Sequence, residues 1–126
     1  MRMPFLAALV ALVAAVIAAT ATAATPKPLI SSANSGAGAG VVAAVPASHG
    51  HAELIIEVTS TPSKQPVQVE WTLACPGKRH GLVNTHTPFR RTLKSVKGCA
   101  VNLQGQLWVE HGKAADGTIV AVIRGA

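Results

Sequence analysis

The chain has 126 residues, of which 49% are hydrophobic and 13% charged, and its formal net charge at pH 7 is +6. A chain of this length allows one domain at most. With five acidic residues and two cysteines in all, it offers few of the side chains that acid–base and metal-dependent enzymes need, so we do not expect an enzyme.

The N-terminus has the pattern of a secretory signal peptide. A positive charge at Arg2 precedes the uncharged run Leu6–Ala19, and Ala21-Thr22-Ala23 places small residues at the two positions that a signal peptidase reads. We therefore predict that residues 1–23 are removed during export. Loss of Arg2 leaves ten basic and five acidic residues, a net charge of +5. The alternative is a retained membrane helix, because the uncharged stretch is about long enough to span a bilayer.

Residues 24–50 have the composition of a flexible spacer, rich in Ala, Gly, Ser and Pro, because such residues bury little apolar area. Within this segment, the apolar run Val41–Val45 could form an edge strand, and Pro46 would end it because proline cannot donate to a sheet. The folded domain is predicted to occupy residues 51–126.

Apolar and polar residues alternate with a period of two through the folded domain, which is typical of strands. In the longest stretch, Val67–Cys75, one face carries Val67, Val69, Trp71, Leu73 and Cys75. The polar segment Lys78–Thr87 is predicted to be a loop. The pattern predicts about six strands: Glu53–Thr59, Val67–Cys75, Phe89–Val96, Cys99–Leu103, Leu107–His111 and Thr118–Ile123.

No helical period is visible after the signal peptide, so we predict an all-β fold, either a small Ig-like antiparallel β-sandwich or an open barrel. The strand Thr118–Ile123 is hydrophobic on both faces, which favours a central or a covered position. Arg91 interrupts the apolar face of Phe89–Val96. Either its stem packs at the sheet margin with its head in water, or the strand is short or bulged.

Two cysteines in an exported chain of this size predict one disulfide, Cys75–Cys99, and the alternative is two free buried thiols. The disulfide would close a loop of roughly 25 residues and contribute about 3–4 kcal/mol to the free energy of unfolding. In immunoglobulin domains a Trp lies between the two cysteines, whereas Trp71 precedes both. The expected likeness to immunoglobulin domains is therefore one of architecture, not of motif.

The chain resembles small secreted proteins of high-GC bacteria. The shared features are a W-x-L-x-C strand (Trp71–Cys75), a Pro-led strand from Pro88, a second cysteine at Cys99 and a C-terminal hairpin. The resemblance covers Val67–Ile123. It implies a β-sandwich with one disulfide and export, and it carries no activity and no site residues.

Basic residues form the main candidate site. Arg90 and Lys94 would share the outer face of one strand, with Lys78 and Arg79 in the preceding loop and Lys97 in the following turn. Together they could bind an anionic polymer such as an envelope polysaccharide. Nucleic acid is not favoured, because few aromatic residues are present to stack on bases. The alternative is a charged edge strand that prevents edge-to-edge aggregation of sheets.

The five histidines are His49, His51, His80, His86 and His111. His49 and His51 could hold Zn²⁺ or Cu²⁺ with one more ligand, but no motif supplies that ligand. We therefore expect neither a metal nor a cofactor.

The predicted function is that of an exported, non-enzymatic binding or structural module, secreted or associated with the cell envelope and not with the membrane. The sequence does not identify its partner, and the two candidates are an anionic envelope polymer and another protein. The second hypothesis is a secreted serine-protease inhibitor that presents the Lys78–Arg79 bond in a loop beside the disulfide. A weaker resemblance, of Thr72–Gly77 to subtilisin-inhibitor-like proteins, points the same way, although that family has two disulfides.

Overall fold

The computed structural model describes residues 26–126, and the predicted signal peptide Met1–Ala23 lies outside them. The described chain is mostly β-strand, with one 3₁₀ turn at Ala47–His49. Its strands are β1 Pro28–Ala37, β2 Gly40–Val45, β3 Glu53–Thr61, β4 Pro66–Ala74, β5 Arg79–His86, β6 Phe89–Lys94, β7 Ala100–Leu107, β8 Val109–Glu110, β9 Lys113–Ala114 and β10 Asp116–Gly125.

The eight long strands form two antiparallel four-stranded sheets. Sheet A has the order β1-β10-β3-β6 and sheet B the order β2-β7-β4-β5, while β8 and β9 form a separate short ribbon. The prediction of an antiparallel β-sandwich is confirmed. The consecutive strands β1 and β2 lie in different sheets, and within each sheet two of the first four long strands alternate with two of the last four. This connectivity is that of an eight-stranded jelly roll.

The core lies between the two sheets, because the apolar side chains of each alternating strand point to the same side. In β4, Val67, Val69, Trp71 and Leu73 are buried, as the sequence pattern predicts. The hydrophobic strand β10 lies between β1 and β3, and its inward residues are fully buried. The predicted central position of this strand is therefore confirmed.

Thr87 is the buried polar side chain among the described residues. Its Oγ1 accepts a hydrogen bond from the Gln65 amide at 3.1 Å and lies 2.5 Å from Ser60 Oγ, which donates to the Pro62 carbonyl at 2.7 Å. A buried hydroxyl needs such partners, since an unpaired one costs about 1–3 kcal/mol. This network ties the β3–β4 turn to Thr87, which directly follows β5.

The spacer predicted over residues 24–50 is wrong for the part that the structure describes. β1 pairs with β10 along its length, and β2, which includes Val41–Val45, pairs with β7. Small residues suffice here because the backbone hydrogen bonds to neighbouring strands do not depend on side-chain size. The sandwich therefore begins at Pro28 rather than at residue 51.

Two other predicted boundaries are also corrected. The segment Lys78–Thr87, predicted as a loop, contains β5, which is the edge strand of sheet B and therefore keeps many polar residues. The strand from Ala100 continues through Gly105 to Leu107, so only the short β8 remains of the predicted strand Leu107–His111. Gly105 is buried against Val58 and Ile119, which explains a glycine in mid-strand.

The predicted disulfide is present. Cys75 and Cys99 follow β4 and precede β7, two strands that pair with each other, and their Cα atoms are 4.4 Å apart. The bond therefore joins the same ends of two central strands of sheet B.

Of the two alternatives for Arg91, the structure supports a side chain that packs at the sheet margin with its head in water. Its guanidinium carbon lies 5.0 Å from the centre of the Trp71 ring and 5.5 Å from that of Phe89, while the residue itself remains exposed. The cation stacks on aromatic faces at the sheet margin and needs no bulge.

Candidate ligand-binding face

The outer face of sheet B is rich in amide side chains. Three rows of the strand register make up this surface, which we call the amide face: Gly40, Gln106, Gln68 and Asn84; Val42, Gln104, Glu70 and Leu82; Ala44, Asn102, Thr72 and His80. Every second residue of a strand points to the same side, so the strand geometry brings these side chains together.

Hydrogen bonds hold part of the amide face in place. Gln68 Nε2 donates to Asn84 Oδ1 at 3.2 Å, and His80 Nε2 donates to Glu70 Oε2 at 2.7 Å. A carboxamide carries both an acceptor oxygen and two donor hydrogens, and a carboxylate has a second oxygen. Each of these four side chains therefore keeps hydrogen-bonding capacity for a ligand.

Three depressions adjoin one another along this face. The first, of about 250 Å³, includes Glu70 and Gln104 in its lining. The second, of about 200 Å³, is lined by the same two residues with Thr72 and Asn102. The third, of about 270 Å³, includes Thr72 and residues 78–80 at the β4–β5 hairpin. The first and second depressions share Glu70 and Gln104, and the second and third share Thr72, so they follow one another along this face. We call this row of depressions the amide groove.

Exposed apolar side chains border the amide groove. Val42 and Leu82 are each 52% exposed and lie on the two edge strands, in the same register row as Glu70. Beyond the Gln68 row, Trp108 is 39% exposed and lines a further depression of about 200 Å³ together with Asn84. Exposed indole beside polar groups can stack on an apolar ligand face while its neighbours form hydrogen bonds.

Two of the predicted anion-binding residues lie on the outer face of sheet A. Arg90 is directly opposite Glu57 in the register, with its Nε 3.9 Å from Glu57 Oε2, and Lys94 is opposite Glu53. Glu57 also accepts a hydrogen bond from Arg124. The expected patch on this strand is therefore a surface of alternating charges, and Arg90 faces a carboxylate.

The other predicted residues gather at one end of the sandwich. The Arg79 guanidinium donates to the backbone carbonyls of Lys94 at 3.1 Å and Ser95 at 2.6 Å. This contact brings the β4–β5 hairpin, which carries Lys78, next to the turn that carries Lys97. We call Lys78, Arg79 and Lys97 the basic end.

The same contact bears on the inhibitor hypothesis. Arg79 is the first residue of β5 and pairs with Leu73, and its side chain is bonded to carbonyls of its own chain. The Lys78–Arg79 bond therefore lies at the base of a tight hairpin. No feature of this geometry favours its presentation to a protease.

Of the two histidines His49 and His51, His49 uses both of its ring nitrogens within the protein. His49 Nε2 donates to the carbonyls of Val96 and Cys99, both at 3.0 Å, and its Nδ1 accepts from the His51 amide at 2.9 Å. Both nitrogens of His49 are thus occupied. Within residues 26–126, no group of three or more metal-ligating side chains is present.

Comparison with known proteins supplies no family. No protein-family model matches the sequence, and no curated protein matches it. Within residues 26–126, no helix has the length and hydrophobicity needed to cross a bilayer.

Solved structures are similar to the chain only in fold. The Yersinia pseudotuberculosis-derived mitogen aligns with a TM-score of 0.49 and 10% identity, over 81% of this chain and 88% of the mitogen. The C-terminal domain of a structural protein from sulfolobus turreted icosahedral virus gives a TM-score of 0.45 and 14% identity, over 81% and 99% of the two chains. TmCBM61 in complex with β-1,4-galactotriose gives 0.41 and 9%, over 68% and 59%. At these scores the likenesses carry no inference about a ligand.

The amide face was missed by sequence reasoning because its residues read as ordinary solvent-facing positions. The signal that could have found it is the run of long amides at alternate positions of β7, Asn102, Gln104 and Gln106, which outnumber the charged residues usual on an exposed strand. The alternation was visible, but pairing of β7 with β4 was not.

Proposed function

We propose that this protein is an exported, non-enzymatic module that binds a glycan on its amide face. The observation that carries the proposal is the pairing of Gln68 with Gln106 and of Glu70 with Gln104, in adjacent rows across β4 and β7. These four side chains line the first depression of the amide groove.

The chemistry of these groups suits a polyhydroxylated ligand. Each sugar hydroxyl is both a donor and an acceptor, and each carboxamide offers both functions in a plane. The single carboxylate of the face, Glu70, can accept from a hydroxyl through the oxygen that His80 does not use, and hydrogen bonds to a charged group are the stronger ones. An apolar ligand would leave these polar groups without partners, which costs affinity.

The scaffold favours a preformed site. The side chains project from hydrogen-bonded central strands, and Gln68 is already fixed by Asn84. Little conformational entropy is therefore lost on binding. From Pro66 to Ala74, β4 spans roughly 27 Å, which is long enough for several sugar units. Trp108 at one end supplies a stacking surface.

The test is affinity electrophoresis of the protein without its predicted signal peptide, in native gels that contain soluble galactan, xylan, β-1,3-glucan or polygalacturonate. We expect at least one polymer to retard the protein. Replacing two side chains of the central row, Glu70→Gln with Gln104→Ala, should abolish that retardation, because both line two of the three depressions.

A matched pair of threonine variants provides the control. Thr72→Val lies on the amide groove, whereas Thr92→Val lies at an equally exposed outward position of β6 in sheet A. We expect weaker retardation only for the first. Equal behaviour of the two variants, or unchanged retardation of the Glu70/Gln104 double variant, would rule out the amide face as the binding site.

A further inference from the structure

The amide groove ends among positive charges. Its third depression, of about 270 Å³, is lined by Thr72–Ala74 on β4, by Lys78 in the β4–β5 turn, and by Arg79 and His80 on β5. His80 is the register partner of Thr72, so it projects to the outer side of sheet B, and Lys78 lines the same depression from the turn before β5. A ligand that follows the groove therefore meets the basic end.

The positive charges at this end are gathered by two structural links. The Arg79 guanidinium is bonded to the Lys94 and Ser95 carbonyls, which brings the end of β6 beside the hairpin. The second link is the Cys75–Cys99 disulfide. Lys78 lies three residues after Cys75 and Lys97 two residues before Cys99, so the bond joins the turns that carry these two lysines. The two lysine-bearing turns are thus held side by side.

Acidic side chains offset only part of this charge. Glu53 is opposite Lys94 in the register, and Glu70 accepts the hydrogen bond of His80. No salt bridge joins Lys78, Arg79 or Lys97 to a carboxylate in the part of the chain that the structure describes. An exposed cation without a carboxylate partner attracts anions at low and moderate ionic strength.

We infer that the ligand of the amide face is an acidic glycan, whose carboxylate or phosphate groups bind at the basic end, on Lys78 and Lys97, while its hydroxyls bind the amides. The inference rests on the proposed function. Lysine suits this role because its ammonium is a mobile point charge that adapts to anions spaced along a polymer. Arg79 adds a charge held in place by its backbone contacts.

A nucleic acid carries the same charge but fits the surface less well. Binding of single strands relies on aromatic platforms for the bases. Phe89 and Trp71 are buried, which leaves Trp108 as the exposed aromatic residue of the described chain, next to the opposite end of β4. The groove therefore offers hydroxyl-binding amides rather than a stacking surface along its length.

The experiment measures binding of the same protein to polygalacturonate, to its neutral methyl ester, to a poly(glycerol phosphate) and to single-stranded DNA, at 20 and 300 mM salt. We expect a preference for an anionic polymer over the methyl ester that disappears at high salt. Comparison of polygalacturonate with poly(glycerol phosphate) tells whether carboxylate or phosphate is preferred.

The variant Lys78→Gln with Lys97→Gln should lower affinity for the anionic polymer about tenfold at low salt and leave methyl-ester binding unchanged. The matched control is Lys64→Gln with Lys113→Gln, which removes the same charge from exposed lysines close to the other end of β4. This control should retain the full preference.

The outcomes separate this inference from the proposed function. Equal binding of polygalacturonate and its ester by the unmodified protein would overturn the inference and leave glycan binding intact. Equal losses in the two lysine double variants, or tighter binding of single-stranded DNA than of any glycan, would also overturn it. If no glycan binds at all, the proposed function fails first.

Discussion

The indole ring of Trp71 on β4 lies directly over Gly81, its register partner on β5. A Cβ atom at position 81 would overlap the six-membered ring of the indole. The absence of a side chain at Gly81 is therefore what lets an edge strand pair closely with β4 while the largest side chain of the core remains buried. Arg91 and Phe89 cover the ring from sheet A.

Replacement of Gly81 by alanine should destabilise the fold by about 1–3 kcal/mol, because the indole or the strand must move to accommodate the methyl group. Urea denaturation followed by tryptophan fluorescence measures the effect. Gly40→Ala is the matched control, since a Cβ at this other strand glycine would make only ordinary contacts, the nearest at 3.5 Å from the Gly105 oxygen. A Gly81→Ala protein as stable as the control would contradict the packing described here.

The adjacent residues Arg90 and Arg91 should differ in their effects on stability. Arg91→Ala removes a cation stacked on two aromatic rings and should cost about 1 kcal/mol. Arg90→Ala removes an exposed ion pair with Glu57 and should cost about 0.5 kcal/mol or less. Chemical denaturation of both variants makes the comparison. The interpretation of Arg91 as a packing residue would be abandoned if Arg90→Ala proved the more damaging.

Removal of the disulfide by Cys75→Ser with Cys99→Ser should lower the free energy of unfolding by about 3–4 kcal/mol, because the unfolded chain regains the entropy of the closed loop. Equilibrium denaturation with and without a reductant should give the same difference for the unmodified protein. Under conditions where the double serine variant is folded, it should also show a weaker preference for anionic polymers, since the disulfide holds the turns of Lys78 and Lys97 together. Unfolding at the same urea concentration after reduction would disprove the stabilising role.

The strands that the sequence predicted well are those with one buried and one solvent-facing side. In β4 the buried positions follow the alternation from Val67 to Leu73, and β10 is central as its hydrophobic character indicated. A buried face requires apolar residues at every second position, so its pattern is local and readable.

Two of the four edge strands, β1 and β5, were missed by local reasoning. β1 and β5 lie at sheet edges, each with one neighbouring strand, and the few side chains they bury leave little alternation in the sequence. Their position is stabilised by backbone hydrogen bonds to β10 and β4. Backbone groups are the same in every residue, so this stabilisation leaves no trace in composition. The composition of residues 24–50 was therefore mistaken for that of a spacer.

The sequence by itself determined the β class, the inward face of the strands with a regular apolar alternation and the disulfide, because these depend on local alternation and on the presence of only two cysteines. The tertiary structure determined which side chains are neighbours on each surface. Gln68 and Gln106 become neighbours only through the pairing of β4 with β7, and the exposed Arg79 bonds the carbonyls at the end of β6. Strand order and register relate segments far apart in the chain, and they are chosen by the burial of the whole core. The candidate site, built from outward residues of paired strands, was for that reason visible only in the fold.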